Sequence, residues 1–568
     1  MNKKITKVLA VSLATMSMAS MAACGGGSTL GGADTLQMCV SDFGYGTDWA
    51  YALIDAFKAE PWVQEKYPRL AIPEPTITTE RTYPVTDIES TYATHDLYFS
   101  CDYATTPLGE DRGVRFYEDL TDVYTSTIPG ENVTVKDKMY AQFVEEADRD
   151  LGEGFNAMDF PWVNGSYGLL YNKYSVEQAF GKGKEMPLTT YELVQMGNEW
   201  KAKYSKKKDP KMIMIANKQT GWTEGAFRVM WGQYAGEQGF RDFMSGKVNG
   251  EYSIEIFKDT ARLRSLQTIE ELLWYNNGYV NTDYAEEDYS TTQAQYLAGD
   301  ACFMFMGDWF EIEMDEFMND PDNQEYLNPN NEFYFLKTPV NSAIVEKMDL
   351  YEHGSKEYYS YIISEEEGTR YEGLSNAEKE AYNKKLSAIV KAVDEGKSEL
   401  DGVSARDFAI VKEARTCKST LGGHVAFVPG NSDAKDLAKD FLIFMASDKG
   451  IETFMKATNG VSTAFKYQVD YDSDMFKGFS PLQQQRLKDT SLEDWYVGKG
   501  YRTPLTRSGA LTDVCTQQGQ KQLEIEFCSQ LGKDRRTAKQ IMEALYANVS
   551  ANNNAVWNNM LIKAGITD

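Results

Sequence analysis

Histidine is nearly absent from this chain, with three in 568 residues. That leaves little room for a histidine-rich metal centre. Basic residues are outnumbered, 58 against 85 acidic, for a formal net charge of -27. Such a balance argues against nucleic acid, whose phosphates need a basic surface, and against docking on anionic lipid through protein charge. Catalytic signatures are missing too. There is no GxSxG, no HExxH and no cysteine with a nearby histidine in sequence. The Gly-rich turn at 42–49 has neither the dinucleotide GxGxxG pattern nor a phosphate-loop lysine. An enzyme built from distant groups stays open, because carboxylates are too numerous to pick out a glycosidase pair without geometry. Asp470, Asp472 and Asp474 alternate as in a calcium loop but lack the Gly and terminal Glu of an EF-hand, so they read as a solvated helix start. No metal and no cofactor is expected.

What is abundant is aromatic: 35 Tyr, 27 Phe and 10 Trp. Much of that is core, but Tyr and Trp in excess also suit a site that grips a ligand through flat faces. The length exceeds what one hydrophobic core supports, so two or more domains are expected. Lys3, Lys4 and Lys7 precede an apolar stretch, Val8 to Ala19, too short to span a bilayer. Met21-Ala22-Ala23-Cys24 then leads into Gly25, Gly26, Gly27 and Ser28. This resembles a bacterial lipoprotein signal, with Met where Leu is usual at the first position of the box. The resemblance implies removal of residues 1–23, acylation (palmitate) of Cys24 and a flexible tether over 24–34. Two or more acyl chains there would hold the protein stably at a membrane face. Six other cysteines remain, Cys39, Cys101, Cys302, Cys417, Cys515 and Cys528. Their spacing fits bridges and buried thiols equally.

Along the chain, apolar runs at Thr35–Ser41, Asp96–Ser100, Tyr167–Asn172, Met212–Ala216, Ala301–Met306 and Gly422–Pro429 predict buried strands. Amphipathic periods predict helices over Ala50–Glu60, Thr190–Lys203, Ile254–Gly278, Thr291–Leu297, Asp433–Ser447, Ser508–Gln530 and Arg536–Leu561. Strands alternating with helices make an α/β protein. Lys347 to Lys412 is charged and helical, with little that looks like an independent core, and reads as an insertion.

One arrangement recurs: a strand end followed by aromatic and carboxylate groups. Tyr45, Asp48 and Trp49 follow the first strand, Asp102 and Tyr103 the next, Trp222 and Glu224 a third, and Asp308 and Trp309 the Ala301 strand. Trp162 sits where the chain would cross between lobes. Ligands of open α/β sheets gather outside the carboxyl ends of strands. Sugars need this chemistry, since their C–H faces stack on rings and their hydroxyls need carboxylates, amides or Arg.

Several segments carry a wider resemblance: Asp55-Ala56-Phe57-Lys58 with Lys66-Tyr67-Pro68, His95 to Phe99, Pro161 with Tyr171-Asn172-Lys173, Met186 to Leu193, Ala298 to Met304 with Gly307 and Trp309, and Asp440 to Met445. In this order they resemble the extracellular solute-binding proteins of ATP-driven importers (family 1), specifically the carbohydrate-binding group that includes maltose-binding protein. The resemblance omits roughly 340–416, and Cys302 and Ser462 depart from the usual Ala and Pro. It implies a two-lobed periplasmic-binding-protein-like (type II) α/β fold with crossings near Asn164, Gly423 and Ser462. Lobe 1 would hold 35–162 and 424–462, and lobe 2 would hold 163–423 and 463–568, with the insertion at about 340–416. It implies a monomeric, non-enzymatic protein, lipid-anchored on the extracytoplasmic face of the cell membrane. That protein would capture an oligosaccharide and hand it to membrane permease subunits. Trp309, Trp222 and Glu224 would meet sugar from one lobe, Tyr45, Asp48, Trp49, Asp102 and Tyr103 from the other, and Arg502 or Arg507 from the C-terminal segment. The rival readings are a surface-anchored glycoside-active enzyme and a binding protein for a peptide or other polar solute.

Overall fold

The computed structural model describes residues 32–566 except 43, 90–92, 102–115, 149–153, 205–211, 216–220, 274–276, 281–286, 353–370, 421–423, 492, 498–502 and 512–536. Two sheets organise it. The first contains β1 (Met38–Ser41), β2 (Thr76–Thr78), β3 (Leu97–Ser100) and β4 (Phe160–Pro161), completed by a late strand, β12 (Val425–Phe427), in the order β2-β1-β3-β12-β4. Strands β1, β2 and β3 are mutually parallel, whereas β12 runs antiparallel to β3. The second sheet contains β5 (Tyr167–Asn172), β6 (Met212–Ile215), β9 (Ala301–Gly307) and β10 (Phe333–Leu336), in the order β10-β5-β9-β6. A hairpin of β7 (Lys247–Val248) and β8 (Glu251–Tyr252) stands apart, as does a parallel pair of β11 (Cys417–Ser419) and β13 (Trp495–Val497).

The run Ala301–Met306 has no polar alternation because both its faces are covered. Ala301, Met304 and Met306 join the hydrophobic cluster that continues into the first sheet, while Cys302, Phe303 and Phe305 join the second cluster. Cys302 is fully buried and its thiol is pushed well up by desolvation, as a packing residue should be. Cys39 and Cys417 are likewise buried free thiols, Cys101 is buried too, and Cys515 and Cys528 lie outside the described residues.

Helix α1 (Asp48–Ala59) buries Trp49, Leu53, Ile54 and Phe57 on one side. Helices α2 (Thr190–Tyr204), α3 (Gly221–Met244), α4 (Thr260–Leu273) and α5 (Tyr289–Leu297) belong with the second sheet, α5 being N-capped by Asp288. The predicted helix over Ile254–Gly278 is divided: Ile254–Lys258 is a 3-10 turn and α4 begins only at Thr260.

The insertion departs from its sequence reading. Helices α6 (Asn376–Asp394) and α7 (Ala405–Thr416) build a hydrophobic cluster of their own with Ile344, Val345, Met348, Leu386, Ile389, Val390, Phe408 and Val411. Its exposed charges had hidden a helical stripe of apolar residues. Each such aliphatic buried contributes about 1.5–3 kcal/mol. The unit is pinned by the Arg415 guanidinium, which donates to Asp394 at 2.9 and 2.8 Å.

Helices α8 (Lys435–Met445), α9 (Asp448–Ala457), α10 (Pro481–Lys488) and α11 (Ala538–Lys563) follow. Helix α9 packs on α1. The return crossing expected at Val461–Ala464 is present as an antiparallel bridge, Val163 to Thr463. Ser473 caps a short helix at Asp474–Gly478, so Asp474 stands in a helix start.

One acid is strongly held beneath β3. Asp87 accepts from the Thr94 hydroxyl at 2.7 Å, the Thr94 amide at 3.1 Å and the Tyr98 hydroxyl, with His95 Nδ1 3.8 Å away. Burial alone would raise its pKa, but these donors outweigh it and lower it to about 2. A depressed carboxylate stabilises above its ordinary 3.8 and loses that contribution as pH falls through about 2. Asp87→Asn is therefore expected to cost about 2 kcal/mol in urea unfolding at neutral pH. The difference from wild type should close as the titration proceeds to pH 2.

Candidate functional site

The carboxyl end of β1 delivers Ser41 and the turn Gly44–Gly46, that of β3 delivers Cys101, and His424 precedes β12. Opposite them, Gly165 and Ser166 lead into β5, and Asp308 and Trp309 leave β9. The two groups meet. The Trp309 ring lies edge-on to Tyr45 of the first sheet at 5.9 Å and to Tyr167 of the second at 5.0 Å, and it is 5% exposed. Glycine is required at two contacts. A Cβ on Gly165 would fall 1.8 Å from Tyr45 Oη, and one on Gly44, whose φ is +62°, would press on Trp309 Cδ1 at 3.3 Å.

Polar groups at or just beyond strand ends are incompletely satisfied. Tyr45 Oη, Ser41 Oγ, Trp162 Nε1 and Thr420 Oγ1 are buried without a hydrogen-bond partner among the described residues. A group so placed costs about 1–3 kcal/mol, which a hydroxyl-bearing ligand would offset. Burial, followed by the Asp308 charge, pushes the Tyr45 hydroxyl well up, so it stays a protonated donor. His424, 5.3 Å from the Tyr45 ring and with Nδ1 3.9 Å from Cys101 Sγ, is driven down to about 3 by burial and then by Arg81. It is a neutral imidazole at physiological pH. Tyr167 rises to about 12 through burial, against the opposing charges of Arg228 and Arg81. Glu313 is raised by burial, offset by hydrogen bonds from Gln293, at 2.8 Å, and from Trp309.

Asp308 does not cap the helix that follows it, since Phe310–Glu313 has no side-chain cap. Its carboxylate is wholly buried against Arg486, with Nε 2.5 Å from Oδ2, close in distance but without hydrogen-bond alignment. Burial raises its pKa and Arg486 opposes the rise. A cavity of about 30 Å³ adjoins this pair, lined among others by Ser166, Tyr167, Lys418 and Asp489. Burial lowers the Lys418 ammonium to about 8.

Of the residues singled out from sequence, the structure brings Tyr45, Asp308 and Trp309 together. Trp162 stands behind them, 5.9 Å from His424 and 4.4 Å from Trp49. Trp49 belongs to the packing of the first sheet, between Phe99 and Phe454, with its indole N–H donating to the Gly46 carbonyl at 3.0 Å. Asp48 is exposed in the first turn of α1. Trp222 and Glu224 fall in the first turn of α3, but their side chains lie outside the described residues, as do Asp102, Tyr103, Arg502 and Cys24. Arg507 ends a short helix, Pro504–Arg507. Tyr167, His424, Arg486 and Gln483 were not foreseen. Tyr167 had a signal, an aromatic opening a strand directly after Gly165, and the others had none.

No family model and no curated protein matches this sequence. Solved structures do. One, from a study of xylan utilization by the thermophilic bacterium Caldanaerobius polysaccharolyticus, is 14% identical, with 91% of this chain and 100% of that one covered at a TM-score of 0.52. A probable secreted solute-binding lipoprotein from Streptomyces coelicolor is 11% identical over 90% and 98%, TM-score 0.52. A chitin oligosaccharide binding protein is 14% identical over 92% and 99%, TM-score 0.52. At these identities the likeness is one of fold. The chain has the two-lobed α/β fold of solute-binding proteins, as the resemblance implied.

Proposed function

We propose that this chain is a lipid-anchored solute-binding protein that closes its two lobes on an oligosaccharide and delivers it to the permease subunits of an ATP-driven importer. The observation that carries the reading is the junction of Tyr45, Trp309 and Tyr167 across the two sheets, with Tyr45 Oη unpaired within it. Rings beside an unsatisfied hydroxyl suit a ligand with C–H faces and hydroxyls. Two neighbours of the same fold point the same way: one comes from work on xylan utilization and the other binds chitin oligosaccharides. Closure is a hinge motion stabilised by contact with both lobes. Lobe 1 comprises 35–162 and 424–462, lobe 2 comprises 163–423 and 463–568, and Cys24 carries the acyl chains. Binding without turnover fits the nearest carboxylates, since Asp308 is engaged by Arg486 and Glu313 by Gln293 and Trp309.

A thermal-shift screen of xylo- and chito-oligosaccharides against amino acids, short peptides and polyamines tests this. A ligand that binds only the folded state raises Tm, by about 2.7 kcal/mol of added stability at a hundredfold excess over Kd. An oligosaccharide recovered uncleaved is the expected result. Stabilisation by amino acids or peptides alone, or cleavage of the sugar, overturns it.

A further inference from the structure

Helix α10 presents Ser480, its N-cap, then Gln483 and Arg486, three residues apart and so on one side of the helix. All three reach the segment that carries Trp309. The Ser480 hydroxyl donates to Glu311, the Gln483 amide donates to the Asp308 carbonyl, and Arg486 meets the Asp308 carboxylate. Arg486, 4% exposed, goes further. Its Nη1 donates to Ser462 Oγ, and its Nη2 donates to the Asn164 carbonyl at 2.8 Å and to Ser166 Oγ at 3.4 Å. Asn164 and Ser166 lie on the chain's first passage between the sheets and Ser462 on its return. The backbone ties the same places together, with the Asn164 amide donating to the Ser462 carbonyl at 2.9 Å and the Asp308 amide to the Ser166 carbonyl at 3.0 Å. One buried side chain thus touches both crossings and the strand end that bears the ring.

We propose that Arg486 is a positioning residue that locks the Asp308–Trp309 tip to both crossings, so that the joint between the lobes and the ligand-facing indole move as one unit. This deepens the proposed two-lobed binding function and is independent of which solute is bound. Guanidinium chemistry is what the site requires. A planar fork of five donors serves three segments at once, whereas an ammonium is a single compact charge.

Residue-resolved hydrogen exchange on the purified, solute-free protein tests the proposal. In Arg486→Lys the amides of Asn164 and Asp308 should exchange at least tenfold faster, while those of Val40 and Phe99 in the first sheet keep their wild-type rates. Unchanged exchange at Asn164 and Asp308 overturns the proposal, and so does an equal acceleration at all four, which marks a general loss of stability. Should Arg486→Lys fail to fold, Ser462→Ala removes one acceptor and leaves the ion pair. Faster exchange at Asn164 alone supports the lock, and wild-type rates there overturn it. Because no solute is present, failure here leaves the oligosaccharide reading untouched, and failure of the sugar screen leaves this one.

Discussion

Trp309→Ala is expected to weaken binding of a stabilising xylo- or chito-oligosaccharide by tenfold or more, a loss of about 1.4 kcal/mol or above. The ring sits where the two sheets meet, over Gly307 and against Gly44, edge-on to Tyr45 and Tyr167. In the proposed hinge motion, opening would withdraw Gly44 and Tyr45 and leave the indole presented by the second sheet. On the proposed reading, a sugar face that replaced them would regain ring contact and supply a hydroxyl to Tyr45 Oη. Truncating a buried Trp also costs about 3–5 kcal/mol of stability, so Trp309→Phe is the necessary companion. It keeps a flat face and should bind within a few-fold of wild type. Calorimetry on both variants, with melting curves to confirm folding, decides the matter. Wild-type affinity in Trp309→Ala would remove that residue from the site.

Trp309 was legible because its strand is. An unbroken apolar run ended by Gly307 must be a strand covered on both faces, and the residues just past such a strand lie at the sheet's edge. The same rule misplaced emphasis on Trp49. That residue also comes after a strand end, but it shares a helical period with Leu53 and Phe57, and the helix's need for a core face prevailed. Arg486 was not legible at all. Locally it belongs to Pro481–Lys488, a polar stretch with Gln483, Gln484 and Gln485, which reads as a solvated surface. Only the convergence of segments around 164, 308 and 462 buries it, and no local pattern announces contacts so distant in sequence. The family resemblance pointed to Arg502 or Arg507 instead. The core of the insertion was obscured differently. Tyr382, Leu386, Ile389 and Val390 keep a helical spacing, but the lysines and glutamates between them dominate composition.

Removing Arg486 should also expose how much the folded state depends on that buried charge. Arg486→Leu keeps bulk but leaves the Asp308 carboxylate, with no exposed surface, unpaired. Breaking a buried pair from one side typically costs about 3–5 kcal/mol, and denaturant unfolding should show a loss of that order at neutral pH. The deficit must depend on pH in a definite direction. Asp308 already has a raised pKa in the folded protein, with Arg486 the charge that opposes desolvation. Without Arg486 it rises further. A carboxyl raised on folding favours the folded state below its ordinary 3.8 and loses that advantage as pH climbs through the folded value. Arg486→Leu should therefore be least impaired in acid and most impaired at neutrality. The double variant Asp308→Asn with Arg486→Leu has no charge left to desolvate, so it should recover part of the loss at pH 7 and shed the pH dependence. A single variant whose deficit is flat across this range would mean that water reaches the Asp308 carboxylate once Arg486 is gone. The joint would then be open to solvent rather than sealed by the ion pair.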